Sequence, residues 1–249
     1  MIAELVIGAL AGILSGLFGI GGAVISTPLL RLVLEVPGHI ALGTPLPLVI
    51  PATLSALLVY GKKKALLTRP AVTIGIVASF STIIGARATS YFSGPMMMFF
   101  TSIFILVVAL KLAFPLKIPK TNSFDNRLLI PIGILVGLVS GFLGIGGGAI
   151  LVPLLLILGV EMHAAVGTSL LAISIFSIPG SLQHYYLGNV SVPLLIPLAI
   201  GVIVGAQFGS RAALKIKSES LEKIFVAFLL LLAFWLMFFE LLNMQVLTL

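Results

Sequence analysis

A chain of 249 residues that is 60% hydrophobic and 8% charged is too poor in charge for a soluble domain. Soluble domains carry about 25% charged residues, and at this length they still need a polar surface. The net charge of +7 does not point to nucleic acid, because the cations lie in short clusters between apolar runs. The absence of cysteine excludes a disulfide framework, a thiolate metal site and a thiol nucleophile. The apolar runs reach about 20 residues or more, the length that crosses a bilayer. The fold class is therefore all-α, a polytopic membrane protein with the lipid bilayer around it.

Eight apolar segments follow in chain order, at about 2–33, 40–60, 70–90, 95–115, 128–158, 163–186, 190–210 and 221–247. The first is no cleaved leader: it lacks a basic start, carries Glu4, and comes back in mid-chain. Inside it stands Ser15-Gly16-Leu17-Phe18-Gly19-Ile20-Gly21-Gly22-Ala23, followed by Pro28. Inside the fifth stands Ser140-Gly141-Phe142-Leu143-Gly144-Ile145-Gly146-Gly147-Gly148, followed by Pro153, at a constant offset of 125. The repeat continues with His39-Ile40-Ala41-Leu42-Gly43-Thr44-Pro45 against His163-Ala164-Ala165-Val166-Gly167-Thr168-Ser169, and with Gly85-Ala86-Arg87 against Gly209-Ser210-Arg211. The chain thus divides into a first transmembrane repeat, 1–115, a linker, 116–127, and a second transmembrane repeat, 128–249.

Cations set the expected topology. Lys62, Lys63, Lys64 and Arg69 follow the second segment. Lys111, Lys117, Lys120 and Arg127 follow or end the fourth, and Arg211, Lys215, Lys217 and Lys223 follow the seventh. If every segment crosses once, the 14 cations divide 8 to 6. If the first and fifth segments enter and leave on one side, they divide 12 to 2, which the positive-inside rule prefers. The expectation is two inverted repeats of four apolar segments, the first of each broken or re-entrant at its Gly-rich turn, with both termini outside. Whether these segments are re-entrant or pairs of short spanning helices stays open at this point.

The glycine clusters are the candidate site. Glycine ends a helix and lets its N–H groups face a ligand, and a half-helix beginning there presents unpaired N–H groups and a positive dipole end. Two such ends, one per repeat, suit a small anion near the midplane. A dipole end contributes about 0.3–1 kcal/mol, up to ~2 when partly buried, far less than burying an anion costs. Hydroxyls must therefore contribute as well. The substrate-binding candidates are Ser15, Gly19, Gly21, Gly22 and Thr44 from the first repeat, with Ser140, Gly144, Gly146, Gly147, Thr168 and Ser169 from the second. The glycines spaced by four (Gly8, Gly12 and Gly16; Gly133, Gly137 and Gly141; Gly201, Gly205 and Gly209) read instead as close helix packing. No Gly-Lys-Ser/Thr follows either cluster, so this is not a nucleotide loop. Pro28 and Pro153 read either as helix starts or as kinks.

No catalytic group, metal site or cofactor is expected. His39 and His163 start the second and sixth segments on opposite faces and read as interfacial, as does His184 beside Tyr185 and Tyr186. Arg87 and Arg211 read as snorkelling to the membrane edge. The acids lie almost entirely at segment ends or in loops, which gives no support to coupling through a buried carboxylate. A membrane-embedded enzyme would need a nucleophile with a base, or a metal cluster. A passive anion channel lined by the glycine turns stays open beside a transporter, and oligomeric state is not legible.

The paired Ser-Gly-x-x-Gly-x-Gly-Gly…Pro signature, supported by Gly43-Thr44 and Gly167-Thr168-Ser169, resembles that of the TauE/SafE family of sulfite and organosulfonate exporters, over essentially the whole chain. The resemblance implies a secondary transporter moving a small sulfur-containing anion, sulfite or an organosulfonate, across the cytoplasmic membrane of a prokaryote. Two departures make the halves unequal: Ala23 stands opposite Gly148, and Pro45 opposite Ser169.

Overall fold

The computed structural model describes residues 2–63, 66–114, 126–144 and 146–246, and no β-strand occurs among them. The first expected segment splits at its glycines into α1 (Ile2–Phe18) and α2 (Ala23–Val33). The second is a short α3 (Gly38–Gly43) running through the helical residue Thr44 into α4 (Pro45–Tyr60). Next come α5 (Thr68–Ala88) and α6 (Gly94–Ala113). The fifth segment splits like the first, into α7 (Leu129–Leu143) and α8 (Gly148–Ile157). The chain closes with α9 (Met162–Tyr186), α10 (Val192–Ala213) and α11 (Ser218–Val246). Most of the linker, 116–125, lies outside the described residues, as do Ile145, Lys64, Lys117 and Lys120.

Helix ends follow local chemistry. Ser191 occupies the N-cap position of α10 without a side-chain capping bond, and Pro193 sits in the first turn, where proline's missing N–H costs nothing. The helix therefore starts two residues after the expected boundary. It runs three residues past the expected end, with Arg211 in its last turn against the negative dipole end. Pro28 and Pro153 lie inside α2 and α8, so neither starts its helix.

Among the described residues, four stretches are long and apolar enough to cross a membrane: Gly38–Tyr60, Thr68–Tyr91, Met162–Tyr186 and Val192–Ala213. Their outer faces carry large exposed apolar side chains, among them Leu58, Phe80, Ile84, Ile196 and Phe208. Their inner faces bury hydroxyls, including Thr53, Thr82, Ser177 and Ser210. In water such a surface would aggregate; in lipid it is the stable arrangement.

The glycines spaced by four set the packing. α1 lies along α10 and α7 along α5, so the first helix of each repeat packs on the third long segment of the other. A Cβ at Gly12 would overlap the Val202 carbonyl of α10, and one at Gly137 would lie 2.5 Å from the Ala78 carbonyl of α5. Gly16 likewise meets Ala206, and Gly141 meets Thr82. Val202 and Ala78 stand 124 residues apart, as do Ala206 and Thr82. The two crossings thus use equivalent residues. Small residues here let backbones touch, the arrangement that drives helix association where the lipid is as apolar as leucine.

Candidate functional site: two abutting glycine turns

Each glycine cluster forms a turn that only glycine adopts without strain. Gly19, Gly21 and Gly22 have φ of 69°, 78° and 75°; Gly144, Gly146 and Gly147 have 64°, 71° and 73°. Gly19 N–H donates to the Ser15 carbonyl (2.8 Å) and Gly144 N–H to the Ser140 carbonyl (2.9 Å), ending α1 and α7 alike. Gly22 and Gly147 then cap α2 and α8 with left-handed backbones. The Gly22 carbonyl accepts from the N–H groups of Ile25 and Ser26, and the Gly147 carbonyl from those of Ile150 and Leu151. Ala23 and Val24 at the start of α2, and Gly148 and Ala149 at the start of α8, have N–H groups with no acceptor inside their own helix.

The two turns touch. A Cβ at Gly21 would lie 3.5 Å from the Gly146 carbonyl oxygen, and one at Gly146 would lie 3.3 Å from Ala23 Cβ and 3.6 Å from the Ile20 carbonyl oxygen. At Gly148 a Cβ would overlap the Gly19 carbonyl. Each turn also rests on the other repeat: Gly19 on Val166 of α9, and Gly144 on Leu42 of α3. Val49 of α4 wedges against both Gly21 and Gly146, and Phe176 of α9 closes over Gly147. Two positive helix ends therefore converge between apolar walls.

All eleven sequence-predicted site residues are buried, but they do not form one cluster. The six glycines make up the turns. Ser15 and Ser140 are fully buried, and their hydroxyls have no partner among the described residues. Ser140 Oγ sits at the α8 cap, 3.2 Å from where a Gly147 Cβ would be. Ser169 donates to the Gly19 carbonyl (3.0 Å), holding the first turn from the second repeat. Thr44 and Thr168 lie away from the turns. Ser191 N–H donates to Thr44 Oγ1 (3.0 Å), and Leu67 N–H donates to Thr168 Oγ1 (2.8 Å). Ser191 and Leu67 are the caps of α10 and α5, so each threonine secures the start of a helix in the opposite repeat.

Sequence reasoning missed two residues. Tyr60 Oη donates to the Gly16 carbonyl (3.3 Å), and His184 Nε2 lies 3.1 Å from the Gly141 carbonyl. Both carbonyls stand in the last turn of their helices, where carbonyls run out of intrahelical partners. His184 is 1% exposed, which overturns its expected interfacial place. The signal was present in the 124-residue offset that aligns Tyr60 with His184. His163 instead bonds the Ala213 carbonyl (3.1 Å) at the end of α10. Arg87 and Arg211 are exposed, as expected of snorkelling side chains.

An all-helical chain with lipid-facing apolar flanks and broken helices meeting inside belongs to the class of polytopic membrane proteins. The profile of the sulfite exporter TauE/SafE family matches residues 4–236, and the chain belongs to that family of membrane transporters. A probable membrane transporter protein of Methanocaldococcus jannaschii is 28% identical over 235 residues, covering 88% of each chain. The probable membrane transporter protein YunE of Bacillus subtilis is 27% identical over 255 residues, covering 91% of this chain and 93% of its own. No solved structure matches the chain.

Proposed function

We propose that the protein is a secondary transporter of a small sulfur-containing anion, sulfite or an organosulfonate, bound where the two glycine turns meet. The observation that carries this reading is the contact between the two glycine turns from which α2 and α8 start. Two like dipole ends that begin at abutting turns repel, and an anion between them relieves the repulsion while taking up N–H groups that have no acceptor in their own helix. Ser140 and Ser15 supply buried hydroxyls without partners, which add the direct donors an anion needs. Loading then requires the turns to part, which favours alternating access over an open channel. The family to which the chain belongs supplies the sulfur chemistry.

The repeats, 1–115 and 128–249, act as inverted halves in the cytoplasmic membrane with both termini outside. The reciprocal contacts of α1 with α10 and α7 with α5 support this arrangement. A re-entrant first segment is supported by Gly22, which lies against the Ala11 carbonyl, well back along α1 from its end at Phe18. The cation distribution supports placing the Lys/Arg-rich loops in the cytoplasm.

The test is calorimetric binding of sulfite, sulfoacetate, taurine and sulfate to purified protein, with Ser140→Ala and Gly146→Val beside the wild type. One anion should bind saturably. Ser140→Ala should weaken it by about 10- to 100-fold, the worth of one hydrogen bond to a charged group. Gly146→Val should abolish binding and flux. No binding to the folded wild type by any of the four would overturn the reading.

A further inference from the structure

Between α5, α7 and α9 lies a buried polar lane that leads away from the anion site and shares only Ser140 with it. Ser177, Ser181 and His184 lie on one face of α9, at spacings of four and three. α5 adds Thr82, which packs on Gly180, and α7 adds Ser140. Thr82, Ser140 and Ser177 are fully buried and Ser181 nearly so. None of their four hydroxyls has a partner among the described residues. The other repeat has no such lane. At the 124-residue offset Ser177 becomes Thr53, whose hydroxyl bonds the Val49 carbonyl (2.8 Å), and Ser181 becomes Leu57. Thr82 becomes Ala206, and His184 becomes Tyr60. Only one of the two equivalent sets of positions carries a row of unpaired hydroxyls ending in an imidazole.

We propose that His184 is the proton-binding site of this transporter, reached through water held on that lane, and that anion and proton move together. The surroundings of the imidazole suit both of its states. The neutral ring donates from Nε2 to the Gly141 carbonyl and accepts at Nδ1 from Asn189 Nδ2 (3.4 Å). A proton arriving at Nδ1 displaces the amide donor, and a half-turn of the Asn189 amide presents its oxygen to the new N–H. The Nε2 bond is undisturbed, and the ring's positive charge faces the negative end of α7. His39 of α3 is the titratable group near enough to act electrostatically on the ring. Of the other helices packed on α9, α8 carries no charged residue, α4 carries Tyr60 alone among titratable groups, and α11 carries Glu219, Glu222, Lys223 and Glu240; α7, whose Gly141 carbonyl the ring bonds, carries no charged residue. On α5, Arg69 and Arg87 are the charged residues, and Arg87 is exposed. No carboxylate among the described residues acts on the ring, so the substrate anion, held at Ser140 next to the Gly141 whose carbonyl the ring bonds, is its counter-charge.

This inference rests on the anion-transporter reading, and the experiment separates the two. Proteoliposomes are loaded in turn with sulfite, sulfoacetate, taurine and sulfate. Exchange of each anion at equal pH on both sides is measured beside uptake driven by an acidic exterior, with protein-free vesicles subtracting leak. The wild type should exchange one anion and accumulate it against its gradient when the outside is acid. In His184→Gln and in His184→Tyr, which installs the side chain of the other repeat, the ratio of acid-driven uptake to exchange should fall at least tenfold. Exchange without acid-driven accumulation in the wild type overturns proton coupling and leaves the transporter standing. Accumulation driven by an acidic lumen, or a ratio preserved in either variant, also overturns it. No exchange of any of the four anions sinks both readings.

Discussion

Tyr60 and His184 stand 124 residues apart and close the same kind of gap, each reaching the carbonyl of the glycine three residues before a glycine turn. The break that lets a turn form also strips the preceding helix of donors. In lipid, those carbonyls have no water to bond. One repeat solves this with a phenol and the other with an imidazole, so the solution is equivalent in geometry and different in chemistry. Tyr60→Phe should therefore lower stability by about 0.5–1.5 kcal/mol, the net worth of one hydrogen bond. Thermal unfolding in detergent measures this, and an unchanged midpoint would refute the capping role.

Ala23 and Gly148 are equivalent in sequence but not in room. The Gly148 Cα faces the Gly19 carbonyl and Ile20, so an added methyl overlaps backbone that cannot move aside cheaply. Ala23 already carries its methyl, 3.3 Å from where a Gly146 Cβ would lie. Gly148→Ala should cost about 1–3 kcal/mol by overpacking and reduce flux, whereas Ala23→Gly should fold and leave the turn intact. Equal losses in the two variants, measured by thermal unfolding and flux, would show that the turns do not abut as described.

Much of this was legible in the sequence for a physical reason. A bilayer leaves helices as the economical way to satisfy the backbone, so apolar length alone gave the segments. Three glycines within four residues cannot continue a helix, so both breaks were visible, and glycines spaced by four announced close packing on α1, α7 and α10 without saying which helices pair. Hydroxyl roles were not legible. Thr44 and Thr168 look like ligands because they follow glycine next to the motif, yet each bonds a helix start in the opposite repeat, a partner more than 100 residues away. His184 looked interfacial because two tyrosines follow it. Its burial depends on which face of α9 meets α7, which composition does not encode.

The threonine pair yields a measurement of cross-repeat assembly. Thr44→Val and Thr168→Val keep shape and remove the acceptors for the Ser191 and Leu67 N–H groups. Each should cost about 1–3 kcal/mol through an unsatisfied donor, with faster amide exchange at residue 191 in one variant and at residue 67 in the other. Each effect should be local to its own helix start. Uniform exchange acceleration across both helices in either variant would argue that the contacts are incidental.

Ser169 distinguishes holding a turn from binding a substrate. Its proton goes to the Gly19 carbonyl, so in this closed state its oxygen can only accept, and an acceptor does nothing for an anion. Thr44 and Thr168 accept from N–H groups and keep their protons, and Ser140 keeps both capacities. Proline at position 45 denies Gly144 the matching bond, so among the described residues only the first turn is held by a side-chain hydrogen bond across the repeat interface. Ser169→Ala should therefore loosen the first turn, with amide exchange at residues 19–22 rising about tenfold, the equivalent of 1.4 kcal/mol. Anion affinity should change by less than in Ser140→Ala. If Ser169→Ala instead abolishes anion binding while exchange at residues 19–22 is unchanged, the hydroxyl belongs to the substrate and the turn is held by something else.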